Sequence, residues 1–131
     1  MLLTGDARGD HVLAGLEAQG ALAPGGTMHV DLLKLPHHGS IRNVDRDFFE
    51  RITADHYVVS ADGRHHNPDV GALELLTEVR GDAEYTLHFT NRVPDVAEFL
   101  ERDQPRRRYR VVYRDDDAPS VRVELGEPLP D

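Results

Sequence analysis

Three short polar stretches carry the side chains best suited to chemistry: Thr4-Gly5-Asp6, Pro36-His37-His38-Gly39-Ser40 and His65-His66-Asn67-Pro68. A carboxylate in company with imidazoles points to metal ligation or acid–base work through nitrogen and oxygen donors. The chain holds eight histidines and no cysteine, which excludes disulfides, thiolate ligands and cysteine nucleophiles. Successive side chains alternate at a strand end, so His37 and His38 cannot both point inward. One can coordinate a metal while the other meets substrate or braces the loop. Pro36 before the pair and Gly39 after it fix the backbone path, which weighs against an ordinary exposed turn. Asp6 reads either as a cap for the following helix or as a ligand, and His65-His66 either as a solvated loop or as part of a site. Ser40 has no base-and-orienter set around it, so a serine nucleophile is not expected. His11, His29, His56 and His88 fall within expected helices or strands and read as structural or exposed.

The elements that must position these stretches alternate regularly. Strands are expected at Leu2–Thr4, His29–Leu35, His56–Ala61 and Tyr85–Thr90, each an apolar or β-branched run closed by polar or turn residues. Helices are expected at about Gly9–Gln19, Asp45–Ile52, Asp69–Val79 and Pro94–Glu101. Their signals are Gly20 past the first, Asp45 as N-cap of the second and proline near the starts of the last two. Tyr109–Tyr113 and Val121–Leu125 flank an acidic turn and read as an edge hairpin, so residues 104–131 are expected to be a closing hairpin and tail. Alternation of this kind predicts an α/β fold with a largely parallel or mixed sheet, with ligands at the carboxyl ends of its strands. The three polar stretches all fall at such ends.

Length and charge narrow the field. The 131 residues make one domain, with 39% hydrophobic and 30% charged residues. No apolar run spans a bilayer and no secretory signal is visible, so no membrane partner is expected and the cytoplasm is the expected location. The net charge of −9 disfavours a protein that grips nucleic acid by bulk charge. Arg106-Arg107-Arg108-Tyr109-Arg110 places an aromatic among bases, but a charged edge strand accounts for it better than a nucleic-acid platform.

Taken in order, Leu2-Leu3-Thr4-Gly5-Asp6, Asp31-Leu32-Leu33-Lys34-Leu35-Pro36-His37-His38-Gly39-Ser40, Ser60-Ala61-Asp62-Gly63 and Asn67-Pro68-Asp69 form a distinctive set. It resembles the carboxyl-terminal half of a metallo-β-lactamase-fold hydrolase, most closely the hydrolase domains of competence-type DNA-uptake proteins. The likeness covers roughly residues 1–80, and the Pro-His-His-Gly-Ser element is its most specific part. It implies half of an αββα sandwich, a mixed sheet flanked by helices, over a single partial domain 1–131. It also implies hydrolysis of phosphodiester or related ester bonds by metal-activated water. Asp6 and His38 would then be ligands to zinc, or to manganese, with two ions in a complete site. His37 would act at the scissile group, and Ser40, His66 and Asn67 would contact substrate. The family places a histidine before the proline of its third loop; here Asn67 stands there, with His65 and His66 upstream.

One departure is large. The family's main metal motif, H-x-H-x-D-H, is absent, and no H-x-H occurs anywhere in the chain. A complementary amino-terminal half, or a homodimer, is therefore the expected partner, and nucleic acid enters only as substrate. The alternative is an inactive half-domain that serves as a binding module.

Overall fold

The computed structural model describes residues 1–5, 7–42, 44–61, 67–115, 117–118 and 120–125. Its elements run β1 (Leu2–Leu3), α1 (Gly9–Ala18), β2 (Met28–Lys34), a 3-10 turn (Pro36–Gly39), α2 (Arg46–Arg51) and β3 (Ile52–Val59). They continue with α3 (Val70–Arg80), β4 (Thr86–Phe89), α4 (Pro94–Asp103), a second 3-10 turn (Gln104–Arg106) and β5 (Arg110–Tyr113). The local signals act as expected. Asp45 caps α2 by accepting the Phe48 N–H at 2.9 Å. Gly20 follows α1 with φ +75°, a left-handed turn that glycine enters without a Cβ penalty. Pro94 opens α4, where a missing N–H leaves no bond unmade.

All five strands are parallel and lie in chain order, β1-β2-β3-β4-β5. Parallel neighbours joined in sequence by right-handed crossovers receive every helix on the same face. The helices accordingly touch one another in chain order, α1 to α2, α2 to α3 and α3 to α4. One core fills the space between them and the sheet. Leu33, Phe48, Phe49, Tyr57, Leu73, Leu76 and Leu87 are fully buried there, with Phe89 and Leu100 nearly so.

Since side chains alternate along a strand, the residues between the core positions face the other way. That second face carries Leu3, Lys34, His56, Val58, His88 and Val112, with no helix of the described residues against it. Leu3 is 67% exposed and Val112 43%. Parallel sheets are normally covered by helices on both faces; among the described residues this one has helices on one face only.

Two expectations are corrected. β3 begins at Ile52 rather than His56, straight off the end of α2. Ile52 leaves the helix in extended geometry and pairs with Met28, while its side chain stays in the core. The edge hairpin does not form: β5 pairs in parallel with β4, and Val121–Leu125 is not a strand. Among the described residues, no helix is long and apolar enough to cross a membrane.

On the bare face His56 and His88 stand side by side on β3 and β4, Nδ1 to Nε2 at 3.0 Å. Burial, and then the neighbouring His56, hold the His88 pKa below its ordinary value of 6.5. As pH falls past 6.5 the unfolded chain takes up the proton before the folded one does. Neutral His88 therefore adds its stability above that pH, and the contribution is lost on acidification toward the lower folded value. Urea unfolding at pH 7.5 and 5.5 is expected to show a smaller acid loss in His88→Leu than in the parent chain. Equal losses in the two would refute a linked His88 proton.

Candidate functional site

The site begins at the carboxyl edge of the sheet. The Thr4 hydroxyl donates to the Lys34 carbonyl at 2.7 Å, tying the end of β1 to the end of β2. Leu35 N–H donates to the Val58 carbonyl at 2.9 Å and Thr90 N–H to the Val59 carbonyl at 3.1 Å, so the strands end in line. Leu35 and Pro36 are buried and anchor the turn that follows.

The Pro36–Gly39 turn holds two successive left-handed residues, His38 at φ +57° and Gly39 at φ +81°. A left-handed histidine is uncommon, and such backbone persists where its surroundings over-determine it. Here they do. The His38 ring donates from Nδ1 to the Ser60 carbonyl at 2.6 Å. Gly39 packs so tightly that a Cβ there would lie 3.0 Å from the Pro68 Cβ and 3.4 Å from a Val59 methyl. The Gly39 carbonyl accepts the Asp69 N–H at 3.1 Å, and the Asp69 carboxylate accepts the Ile41 N–H at 2.8 Å. The loop after β2 and the loop before α3 are thus clasped to each other by hydrogen bonds in both directions.

The clasp brings together His38, Ser40, Asn67, Pro68 and Asp69. His38 is exposed, with Nδ1–H given to a carbonyl; that tautomer carries its lone pair on Nε2. Ser40 is 7% exposed, and its hydroxyl accepts the Arg42 N–H at 3.3 Å within the turn. Asn67 is half-buried and joined to Pro68 by a cis peptide. Asp6, His65 and His66 lie outside the described residues, and His37 is described in its backbone alone. Among the described residues, no group of three or more histidines and carboxylates converges as a metal shell.

Beside the clasp, on the bare face, lies a groove of about 630 Å³. Lys34, Ser60, Thr90, Asn91, Arg114 and Ser120 line it, each from the end of a strand or from the segment beyond β5. Lys34 and Ser60 belong to the motif set of the sequence, but Thr90, Asn91, Arg114 and Ser120 carry no local motif that joins them to it. The signal available was positional: each follows or closes a parallel strand, where ligands of such sheets gather.

His29 and the arginine run serve the fold. His29 hydrogen-bonds Thr53 at 2.7 Å and Asp55 at 2.9 Å across β2 and β3. Tyr109 is 3% exposed and donates to Asp103, while Arg106 and Arg107 pair with that same carboxylate and Arg108 with Glu84. A buried tyrosine cannot stack on a base, so the nucleic-acid platform is set aside.

These features define an α/β protein with a parallel sheet, helices on one face and polar loops clasped at the carboxyl edge. No family model matches the chain, and no solved structure matches it. Curated proteins do match over about half its length. Microtubule-associated protein 1S of Bos taurus is 39% identical over 67 residues, 50% of this chain and 6% of that protein. Microtubule-associated protein 1A of Mus musculus is 39% identical over 67 residues, 50% of this chain and 2% of that protein. The human protein of that name is 40% identical over 55 residues, 41% of this chain and 2% of that protein. The chain therefore spans a small fraction of the length of these relatives.

Proposed function

We propose that this chain is the carboxyl-terminal portion of a metal-dependent hydrolase with the metallo-β-lactamase fold, acting on phosphodiester or related ester bonds. The observation that carries this reading is the His38 clasp. A ligand histidine commonly gives its second ring N–H to a carbonyl, which sets the tautomer and aims the other nitrogen at the ion. The bond from His38 Nδ1 to the Ser60 carbonyl does this at the carboxyl edge of a parallel sheet. The bare second face supports the same reading, since half of an αββα sandwich leaves one face for the missing sheet.

His38 suits one coordination position, and Asp6 would supply another. The remaining ligands would come from a complementary amino-terminal half or a second copy. Zinc or manganese, when bound, supplies a Lewis acid and a water of lowered pKa. The chain's own part is positional. The clasp holds His38 in place, His37 would steady the scissile group, and Ser40, His66 and Asn67 would border the substrate. The experiment is release of p-nitrophenolate from bis(p-nitrophenyl) phosphate with zinc or manganese present. Turnover in the parent chain and its loss in His38→Ala is the expected pair of results; turnover unchanged in His38→Ala would count against the reading.

A second reading has its own support. The curated relatives are named for association with microtubules, and the bare face offers a surface for assembly. On that reading the chain is a non-catalytic interaction module, and it would sediment with microtubules equally well with or without His38.

A further inference from the structure

The second face of the sheet is not bare along its whole length. One row of the strand register crosses it from edge to edge: Leu3, Lys34, Val58, His88 and Val112. The outer members are open, Leu3 at 67% and Val112 at 43%, whereas Lys34 and Val58 are half-buried and His88 is 6% exposed. The His56 ring covers one side of His88. Beyond β5 the chain turns back toward this row. Arg114 still pairs with β4 through its N–H, and its side chain reaches three carbonyls: Nε donates to Thr90 at 2.8 Å, and Nη1 to Asp115 and Ala118. Ala118 N–H donates to the Asp115 carbonyl at 2.9 Å, which closes a turn. Ser120 and Val121 then line the groove together with Lys34 and Val58, which belong to strands two and three places in from β5.

Residues 120–125 keep the alternation of a strand, with Val121 and Val123 half-buried and Arg122 and Glu124 exposed. The helices occupy the opposite face, so the valines have the second face to rest on. Yet among the described residues none of these six shares a backbone hydrogen bond with the sheet. Side-chain contact holds them, and a segment held in that way opens more readily than a paired strand. We infer that residues 120–125 are a strap, hinged on Arg114, that closes over the carboxyl end of the sheet's second face and competes for it with any other occupant. A strand bonded to the free edge of β5 would widen the sheet and leave that face open. A strap laid across it supplies the cover that a parallel sheet needs, and gives way because nothing in its backbone is bonded there. The strap requires neither metal nor hydrolysis, so it stands apart from the function proposed above.

The chain has no cysteine, so Arg122→Cys provides a single site for a nitroxide label. Arg122 is exposed between the two valines, and the label leaves their contact in place. Amide signals of Val58 and Thr90 are expected to broaden in the labelled chain. They are expected to recover when Val121→Asp is added, because an aspartate is costly to seat against Val58. Arg114→Ala cuts the hinge without touching the valines and is expected to restore the same signals. Binding of anilinonaphthalene sulfonate is expected to rise roughly threefold in both variants as apolar surface is released. Both variants make the region more negative, so greater uptake of this anionic dye cannot come from charge. Sharp Val58 and Thr90 signals in the labelled parent chain, broadening that persists in either variant, or dye binding unchanged in either, overturns the strap. His38→Ala is expected to leave all these readings as they are, which separates a failure of the strap from a failure of the hydrolase reading.

Discussion

Replacing Asp103 with alanine is expected to lower the free energy of unfolding by about 3 kcal/mol. The carboxylate ends α4 at 4% exposure and has three partners. It accepts the Tyr109 hydroxyl at 2.9 Å and Arg106 at 3.0 Å, and pairs with Arg107 at 3.6 Å. Arg106 is mostly exposed, so its ion pair adds little. Arg107 is only 19% exposed, and the Tyr109 hydroxyl is buried, so truncating Asp103 strands a cation and a hydroxyl together. Burial and the bond to Asp103 hold the Tyr109 phenol well above its usual pKa, so it stays a neutral donor throughout the working pH range. Tyr109→Phe removes one donor and leaves the carboxylate with its arginines, and is expected to cost about 1 kcal/mol. Urea midpoints for the two variants decide it, provided the slopes match that of the parent. Equal losses would mean that the phenol, not the carboxylate, is the centre of this cluster.

Gly39→Val is the second large effect, also about 3 kcal/mol, and it acts on the site itself. At φ +81° a β-branched side chain is strained wherever it stands. Here its Cβ would also meet the Pro68 Cβ at 3.0 Å, and the Val59 methyl behind it belongs to a buried strand residue that cannot retreat. The relief available is to part the two loops. That breaks the bond from Asp69 N–H to the Gly39 carbonyl and frees the backbone that holds His38. The variant is therefore expected to lose stability and any metal or substrate binding together. Gly20→Val has a similar φ, +75°, but no atom within 4 Å of its Cβ, and is expected to lose stability alone. Binding kept in Gly39→Val would show that the clasp does not position His38.

Much of the fold is legible in the sequence because its signals are local. Asp45, Gly20 and Pro94 mark helix ends by chemistry that needs no distant partner. The apolar run Leu32-Leu33 and the turn beginning at Pro36 mark a buried strand and its end in the same way. The start of β3 is hidden because its burial parity switches. Ile52 and Ala54 face the core, then Tyr57 and Val59 do, with Asp55 and His56 between, so no single alternation runs through the strand. The expected hairpin rested on a real alternation, with Val121 and Val123 half-buried and Arg122 and Glu124 exposed. Alternation reports burial, whereas a strand needs a hydrogen-bonding neighbour, and among the described residues β5 pairs with β4 alone. The clasped loops are partly legible, since Pro36, Gly39 and Pro68 announce fixed turns. The groove and the His56–His88 pair are not, because strand register alone brings their members together.

The central claim is that His38, set by its bond to Ser60, is a metal ligand. It is tested most directly by elemental analysis of the purified chain after loading with zinc or manganese, beside Asp6→Ala and His38→Ala. Metal retained at one or two ions per chain, and lost in both variants, is the expected result. A parent chain that holds no more metal than either variant would contradict the claim, and the bare sheet face would then be the feature that decides what this protein does.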